Sequence, residues 1–370
     1  MDYTELKLRL MQQGAVVTSA ARKTMYRSRF GLITFSDYAT TGGVVAVLDE
    51  RVYVNIPVKF QGTLFTVDLF EDRLVLKYDN RLIKTSIRII PVPKYALDVE
   101  RLDDDTPVRE LVMTHADRVR ISPVHGCLYH CSFCTSNAAY YKEISCEQLD
   151  EAFNIALHDP YNKPRHVLIS GGTPNEEADS YEWINNIYRY FPRNYPRFDF
   201  DVMLSPRGMR PKQTSAQGYG EFLSYLHDEC GVKTLSVNLE LYNDKFRERF
   251  IPNKATVGKD NYYRFIGQAV EIFGSKNVRS SLVVGLESVE DTLNGVRALL
   301  ECGCLPVLSA FVPAPGTDMA NYPAPSVEFL LEIVRKADEM AREAGLQLGP
   351  LCRPCTHNSV TVEEGEIIIL

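Results

Sequence analysis

The stretch Arg118-Val-Arg-Ile-Ser-Pro-Val-His-Gly-Cys-Leu-Tyr-His-Cys-Ser-Phe-Cys134 decides the fold of this chain. Its first half predicts a β-strand that leads directly into a Cys-x3-Cys-x2-Cys run formed by Cys127, Cys131 and Cys134. Three thiolates at this spacing can ligate three irons of a [4Fe–4S] cluster. The fourth iron then has no protein ligand, and an open position at a metal is typical of catalysis rather than of structure.

Downstream of this strand the sequence repeats a rhythm of strand, loop and helix. Further β-rich runs predict strands at residues 166–170, 198–204, 234–241, 277–285 and 306–312. Helix signals lie between and after them, including an amphipathic run at 327–344 that follows Ser326 as N-cap. This alternation indicates parallel strands joined by helical crossovers. An open doubly wound sheet and a partial barrel both fit the rhythm.

Three regions are predicted along the chain. Residues 1–110 form a β-rich domain and linker, because short β-rich runs are separated there by Gly, Asp and Asn turns. Residues 111–350 form the α/β region, and residues 351–370 form a cysteine-containing tail. In a barrel, chemistry belongs to the loops that follow the strands. The cysteine loop follows the first strand, as that rule requires.

Composition restricts the partners and the compartment. The 370 residues carry a net charge of −7, which disfavours a protein that coats nucleic acid or an anionic membrane. We find no apolar run long enough to span a bilayer and no signal-peptide core near the charged residues Asp2 and Glu5. Nine cysteines without a dense, regular spacing fit a reducing cytoplasm.

With Phe133 directly before its last cysteine, the loop resembles the signature of the radical S-adenosylmethionine (radical SAM) family. The resemblance implies a partial (β/α)6 TIM-type barrel, with a [4Fe–4S] cluster on Cys127, Cys131 and Cys134 that is chelated by SAM. It also implies reductive cleavage of SAM to a 5′-deoxyadenosyl radical that abstracts hydrogen from a substrate. Phe133 is then expected beside the adenine. A low-potential donor such as flavodoxin or ferredoxin would supply the electron.

Gly171, Gly172 and Thr173 end the second predicted strand and resemble the Gly-Gly-Glu motif of the same family. In that family the backbone carbonyls of the motif accept hydrogen bonds from the amino group of SAM, so the change of Glu to Thr173 costs little. A glycine turn that merely ends a strand is the simpler alternative. The position at a strand end after the cysteine loop favours SAM binding.

Two later strands carry further resemblances. Asn238 and Glu240 resemble the Asn-x-Asp segment of the biotin-synthase-like branch, which implies contact with the ribose of SAM. Residues two apart on a strand share a face, and a carboxylate inside an apolar strand is costly unless it is bound. By the same resemblance, Arg247 and Arg249 are the two candidates for the SAM carboxylate, of which Arg249 is preferred, and Val283 is a candidate for stacking on adenine.

The C-terminal motif Cys352-Arg-Pro-Cys355 supports three interpretations. The two thiols could ligate an auxiliary iron–sulfur cluster, they could act as catalytic thiols, or they could be ordinary buried cysteines. Their Gly- and Pro-rich surroundings predict a loop that closes the mouth of the barrel.

Other functions stay open at this point. A zinc-stabilised binding module could use His130 as a fourth ligand, although its position next to Cys131 makes that geometry poor. A nonenzymatic iron–sulfur electron carrier is a further alternative. For the enzyme, sulfur insertion, skeletal rearrangement and assembly of a cofactor or natural product are all compatible with the motifs. The substrate is expected to be a small molecule or to be bound to a carrier.

Overall fold

The computed structural model describes residues 1–27, 43–138, 140–175, 177–206 and 216–370. The N-terminal part contains short helices and strands, as predicted for a β-rich region. Its elements are α1 (Tyr3–Gln13), β1 (Ala15–Val17), α2 (Ser19–Arg27), β2 (Val44–Leu48), β3 (Val52–Ile56), β4 (Val58–Lys59), β5 (Phe65–Phe70), β6 (Arg73–Tyr78), β7 (Arg81–Leu82), β8 (Ile87–Ile89), α3 (Lys94–Leu97) and α4 (Val108–Leu111). They form a sheet of order β4-β1-β5-β6-β7 and a second sheet of order β3-β2-β8.

The strands of the following region are β9 (Val112–His115), β10 (Arg118–Ile121), β11 (Val124–His125), β12 (Lys142–Glu143), β13 (His166–Ile169), β14 (Asp199–Met203), β15 (Thr234–Ser236), β16 (Val278–Val284) and β17 (Leu305–Ala310). Its helices are α5 (Cys146–Leu157), α6 (Ala178–Asn194), α7 (Ala216–Ser224), α8 (Asp244–Phe250), α9 (Pro252–Val257), α10 (Lys259–Phe273), α11 (Val289–Glu301) and α12 (Val327–Glu343). A short 3-10 helix follows at Pro354–Asn358.

These strands form one sheet of order β17-β16-β15-β14-β13-β10-β9. The pairings from β10 to β17 are parallel, and β9 pairs antiparallel with β10 at the edge. The sheet curls into a half-barrel, so the predicted partial (β/α)6 barrel is confirmed and the doubly wound alternative is not. Because the strands are parallel, the loops after β10, β13 and β15 meet at one edge.

The fourth predicted strand is shorter than expected. β15 ends at Ser236. The N–H of Val237 still donates to the carbonyl of Arg279 at 3.0 Å, and Glu240 then bridges Leu282 of β16. Glu240 exchanges backbone hydrogen bonds with Ser281 and Val283 of β16, and its φ of 66° is a left-handed conformation that a continuous strand does not contain. The segment 237–241 is therefore a loop at the carboxyl edge, and the alternation rule for strand faces does not apply to it.

Helix termini follow the predicted capping residues. The Ser145 hydroxyl accepts a hydrogen bond from the N–H of Gln148, and the Gln148 side chain returns to the N–H of Ser145. Ser326 likewise caps α12 by accepting from the N–H of Phe329 at 3.1 Å. These caps fix where α5 and α12 begin.

One hydrophobic core extends from the N-terminal sheets into the half-barrel. The C-terminal segment returns to the N-terminal part, where Ile369 bridges Ile83. Lys7 of α1 is fully buried and donates to Thr361 at 2.5 Å and Glu363 at 3.2 Å. The division into three regions stays a prediction. Within the described ranges, no helix combines the length and apolarity needed to cross a membrane.

Candidate active site

The cysteine loop follows β10 and lies at the carboxyl edge of the half-barrel. Cys127, Cys131 and Cys134 are partly buried free thiols that line one cavity. The N–H of Cys134 donates to the carbonyl of Cys131 at 2.9 Å, and the N–H of Ser132 donates to the carbonyl of Phe250 at 2.8 Å. These bonds fold the loop tightly and anchor it to α8, so the three thiols border the same space.

The structure brings most of the predicted site residues to this cavity. Its lining includes the residues predicted for the cluster and for SAM, namely Cys127, Cys131, Phe133, Cys134, Gly171, Gly172, Thr173, Asn238 and Glu240. Val283 packs in an apolar cluster beside it. Arg249, Cys352 and Cys355 do not line it.

The glycine loop after β13 lies against the cysteine loop. A Cβ added to Gly172 would lie 1.8 Å from the carbonyl oxygen of Gly126, so only glycine permits this approach. The backbone N–H groups of Thr173 and Tyr129 donate to Sγ of Cys127 at 3.2 and 3.3 Å. A metal-bound thiolate accepts such hydrogen bonds, so these contacts are compatible with a cluster on Cys127.

The spacing of the thiols distinguishes a cluster from a single ion. In the described ranges, the one group of three His, Cys or carboxylate ligand atoms within 4.8 Å of one another lies elsewhere in the molecule. Two ligands of one tetrahedral Zn²⁺ are only about 4 Å apart. A [4Fe–4S] cluster takes each thiolate on a different iron and needs a wider spacing. The cysteine loop therefore fits a cluster better than one zinc ion.

His130 does not complete a metal site in this loop. Its side chain is exposed, and its Nε2 atom lies 2.9 Å from a carboxylate oxygen of Asp318. The backbone N–H of His130 donates to the side chain of Asn253 at 2.9 Å. These contacts direct the residue away from the cavity that the thiols line.

Glu240 and Lys254 form an ion pair on the cavity wall. The carboxylate and ammonium are 2.7 Å apart, and both side chains are 13% exposed. Asn238 lies beside them and accepts a hydrogen bond from the N–H of Ser281 at 3.2 Å. Lys254 was not predicted as a site residue, because a lysine in a short helix carries no signal of its own.

Charges on this wall shift two pKa values. Burial is the largest single effect on the pKa of Lys254 and lowers it, but the charges of Glu240, Tyr262 and Cys131 and the hydrogen bond to Glu240 together raise it. Burial also raises the pKa of the Cys131 thiol to about 12, and the positive charge of Lys254 opposes that rise. The wall thus holds a permanent ammonium beside a thiol that a bound metal would deprotonate.

Arg247 supports this wall from behind. It is 1% exposed, and its guanidinium donates to the carbonyls of Leu239 and Leu241 at 2.8 Å each. It also donates to the carbonyl of Lys254 at 3.2 Å. Arg247 therefore fixes the segment that carries Glu240 against α9.

Arg249 has different surroundings although it lies two residues further along α8. It is exposed, and its guanidinium lies over the ring of Phe250 at 4.9 Å. The predicted contact of Arg249 with the SAM carboxylate has no counterpart in this geometry, since the helix turns it away from the cavity.

Phe133 and Val283 belong to a small apolar cluster next to the cysteine loop. Both pack against a buried group that is separate from the main core and consists of Leu241, Phe250, Ile251, Leu286, Phe311 and Met319. Cys131 packs against the same group. An aromatic ring and a β-branched side chain thus border the thiols on one side, where the flat face of a base could pack.

Cys352 and Cys355 lie at the opposite edge of the sheet. They line a second cavity with Arg118, His166 and Arg279, which stand at the amino ends of β10, β13 and β16. The expectation that their loop closes the barrel mouth beside the cysteine loop is therefore corrected. The N–H of Gly349 donates to the carbonyl of Pro306 at 2.8 Å, which holds this segment at the amino end of β17.

Comparison with known proteins gives distant matches. No protein-family model matches the chain. Bacteriochlorophyllide c C-7(1)-hydroxylase of Chlorobaculum limnaeum is 27% identical over 112 residues, which are 30% of this chain and 28% of that protein. The matched segment thus spans well under two thirds of this relative.

Among solved structures, a radical SAM methyltransferase from Sphaerobacter thermophilus matches with a TM-score of 0.47 and 16% identity, over 80% of this chain and 77% of that one. SuiB of Streptococcus suis, solved with S-adenosylmethionine, matches with a TM-score of 0.46 and 16% identity, over 67% of this chain and 53% of that one. The chain resembles the radical SAM enzymes. At these identities and TM-scores, the matches carry no statement about the substrate or the reaction of this chain.

Proposed function

We propose that this chain holds a [4Fe–4S] cluster on Cys127, Cys131 and Cys134 and cleaves SAM reductively beside it. The observation that carries the proposal is the convergence of these thiols, the Gly171–Gly172 loop and Glu240 on one cavity at the carboxyl edge of the half-barrel. When bound, the cluster and SAM together supply a 5′-deoxyadenosyl radical, which abstracts hydrogen from an unactivated carbon of the substrate.

The residues around the thiols fit such a cluster. Two backbone N–H groups donate to Sγ of Cys127, and hydrogen bonds to the sulfurs are one means by which a protein adjusts a cluster potential. The sulfurs of the three thiols are not all within 4.8 Å of one another, whereas the ligands of one tetrahedral ion are about 4 Å apart. The chain supplies three thiolates from this loop, which leaves one iron for the amino and carboxylate groups of SAM.

Lys254 and Glu240 provide the polar contacts for SAM. We assign the SAM carboxylate to Lys254, because its ammonium lines the cavity and stays charged, whereas Arg249 is turned away. Glu240 has a second carboxylate oxygen that can accept a hydrogen bond from the ribose hydroxyls, and such charge-assisted bonds are strong. The backbone carbonyls of the Gly171–Thr173 loop accept from the SAM amino group.

Apolar side chains shield the same cavity from water. Val124, Ile169, Ile184 and Tyr188 line it and are all buried. Phe133 and Val283 pack beside the thiols and offer an apolar surface for adenine. Exclusion of water matters because a reactive intermediate formed here must meet only the substrate.

The reaction class stays broad within this proposal. A biotin-synthase-like chemistry, with sulfur insertion, skeletal rearrangement or assembly of a cofactor or natural product, is our working assignment. The substrate is a small molecule or is bound to a carrier, and a flavodoxin or ferredoxin delivers the electron. A low-potential cluster of this kind belongs in a reducing compartment such as the cytoplasm.

Iron counting and electron paramagnetic resonance (EPR) after anaerobic reconstitution test the proposal. We expect about four irons per chain, and a spectrum of the reduced cluster that changes when SAM is added. Cys131→Ala should lose the cluster, whereas Cys146→Ala, a partly buried thiol outside the cavity, should keep it. Zinc in place of iron, lost on replacement of the Cys127–Cys134 thiols, would point to the zinc module. A cluster that ignores SAM would point to an electron carrier.

A further inference from the structure

Three metal-ligating side chains meet at the amino edge of the half-barrel, far in the fold from the cysteine loop. They are His166, Cys352 and Cys355, and their ligand atoms all lie within 4.8 Å of one another. Nε2 of His166 is 3.3 Å from Sγ of Cys355. All three line a cavity that also contains the carboxylate of Asp117.

The local fold explains why these side chains converge. His166 is the first residue of β13, and the C-terminal segment crosses beneath the strands to reach it. The N–H of Cys355 donates to the carbonyl of Cys352 at 3.0 Å, so a tight turn presents both thiols on one side. Beyond the turn, the N–H of Val360 donates to the carbonyl of Leu308 at 2.7 Å and returns the chain to β17.

We propose that His166, Cys352 and Cys355 bind one Zn²⁺ ion, with a water molecule completing the tetrahedron on the side of Asp117. Imidazole nitrogen, thiolate sulfur and carboxylate oxygen are the ligands that tetrahedral zinc takes in proteins. Two ligands of such an ion are about 3.6 Å apart for a nitrogen and a sulfur, which agrees with 3.3 Å between His166 and Cys355. Sγ of Cys352 lies 3.8 Å from Oδ1 of Asp117, so this carboxylate borders the site and can accept a hydrogen bond from the water.

The same spacing disfavours the auxiliary iron–sulfur cluster on this pair. A cluster spreads its thiolates over several irons, whereas these ligand atoms are close enough to share one ion. Cys304, the thiol nearest in sequence to β17, is fully buried and is not part of the group. Within the described residues, the site thus offers two thiols rather than the three or four that a cluster takes.

The charges around the site agree with an anionic ligand set. Two thiolates match the charge of Zn²⁺, and Arg118 lines the same cavity together with Arg279, which is paired with Asp201. Nearby guanidinium groups stabilise the deprotonated thiols that the metal requires. Cys352, His166 and Asp117 are only partly buried, so an ion can reach them. A bound ion would fasten the C-terminal segment across the amino ends of the strands.

Cobalt substitution in a variant without the cysteine-loop thiols tests this site on its own. The full chain with Cys127, Cys131 and Cys134 replaced by alanine is reduced, its thiols are counted, and it is titrated with Co²⁺. We expect about one equivalent to bind, with thiolate-to-cobalt absorption and the intense visible bands of a tetrahedral site, and to be displaced by Zn²⁺. This outcome does not depend on whether the cysteine loop carries a cluster.

Further variants locate the ion. Adding Cys352→Ser and Cys355→Ser should abolish the tetrahedral spectrum, and His166→Ala should weaken Co²⁺ binding at least about tenfold. Adding Cys302→Ser, which changes a partly buried thiol outside the site, should leave binding unchanged. Absence of a tetrahedral cobalt spectrum in the reduced, folded starting variant would overturn the proposal. So would iron in the reconstituted wild-type chain that exceeds one cluster and is lost with Cys352 and Cys355.

Discussion

The ammonium of Lys254 lies 2.7 Å from the carboxylate of Glu240 on the wall of the cavity that the three thiols line. Both side chains are largely buried, and Arg247 holds the two backbone segments together from behind. The pair places one fixed positive and one fixed negative charge beside the cysteine loop. Of the two residues, the sequence motifs identify Glu240 but not Lys254.

Glu240→Gln should weaken SAM binding and destabilise the fold. Loss of a charged hydrogen bond costs about 1.5–3 kcal/mol, so the Kd for SAM should rise about 10- to 100-fold. The buried ammonium of Lys254 also loses its counter-charge, which lowers the melting temperature. Equilibrium binding of SAM to the reconstituted protein and thermal denaturation measure the two effects. An unchanged Kd in a folded, cluster-loaded variant would remove Glu240 from the SAM site.

Gly172→Ala should disrupt the contact between the glycine and cysteine loops. The added Cβ would lie 1.8 Å from the carbonyl oxygen of Gly126, so the loops must separate at a cost of about 1–3 kcal/mol. Iron content after reconstitution should fall to a small fraction of that in the wild type. Gly267→Ala is the matched control, because a Cβ there meets no atom within 4 Å. Equal iron content in the two variants would contradict the close approach.

Alanine substitution should destabilise the protein much more at Arg247 than at Arg249, although the two lie only two residues apart. Arg247→Ala leaves buried backbone carbonyls without their donor, and each such loss costs about 1–3 kcal/mol. Arg249→Ala removes an exposed side chain and should change stability by about 0.5 kcal/mol or less. Arg249→Ala should also leave the Kd for SAM within about twofold of the wild type. A large loss of SAM affinity in Arg249→Ala would restore it as the carboxylate ligand.

Lys7 should make stability depend on pH in the alkaline range. Burial lowers the pKa of Lys7, and the charge of Glu363 only partly opposes this. Between the lowered folded pKa and the unfolded value of about 10.4, the unfolded chain binds more protons than the folded one. Stability from this group therefore rises with pH in that window. Melting temperatures of wild type and Lys7→Met between pH 8 and 10 should show the wild type gaining relative to the variant, and a relative loss would contradict the burial.

The sequence predicted those parts of the fold that depend on local patterns. The strands from 118 to 312 and the caps at Ser145 and Ser326 are where periodicity and capping residues indicated them. β9 was not predicted, because an edge strand of four residues next to β10 carries too little periodicity to separate from its neighbour. The end of β15 was also missed, since residues 237–241 keep the alternating apolar and polar pattern of a strand although β15 ends at Ser236.

The sequence predicts the site residues that belong to one short motif. It does not predict those that the tertiary structure brings together from distant parts of the chain. The cysteine loop and the glycine loop each form a short motif, and both line the cavity. Lys254 belongs to no motif, and deciding among Arg247, Arg249 and Lys254 for the SAM carboxylate requires knowing which of them lines the cavity. The position of Cys352 and Cys355 depends on the path of the C-terminal segment beneath the sheet, which no local pattern specifies.

Formation of 5′-deoxyadenosine is the most direct test of SAM cleavage by this chain. The reconstituted protein is reduced with dithionite under anaerobic conditions and supplied with SAM, and products are separated by chromatography. We predict that the wild type forms one 5′-deoxyadenosine for each methionine and that Cys146→Ala forms both at the wild-type level. Cys131→Ala should form neither product. Wild-type protein with about four irons per chain that leaves SAM intact after reduction would contradict the account.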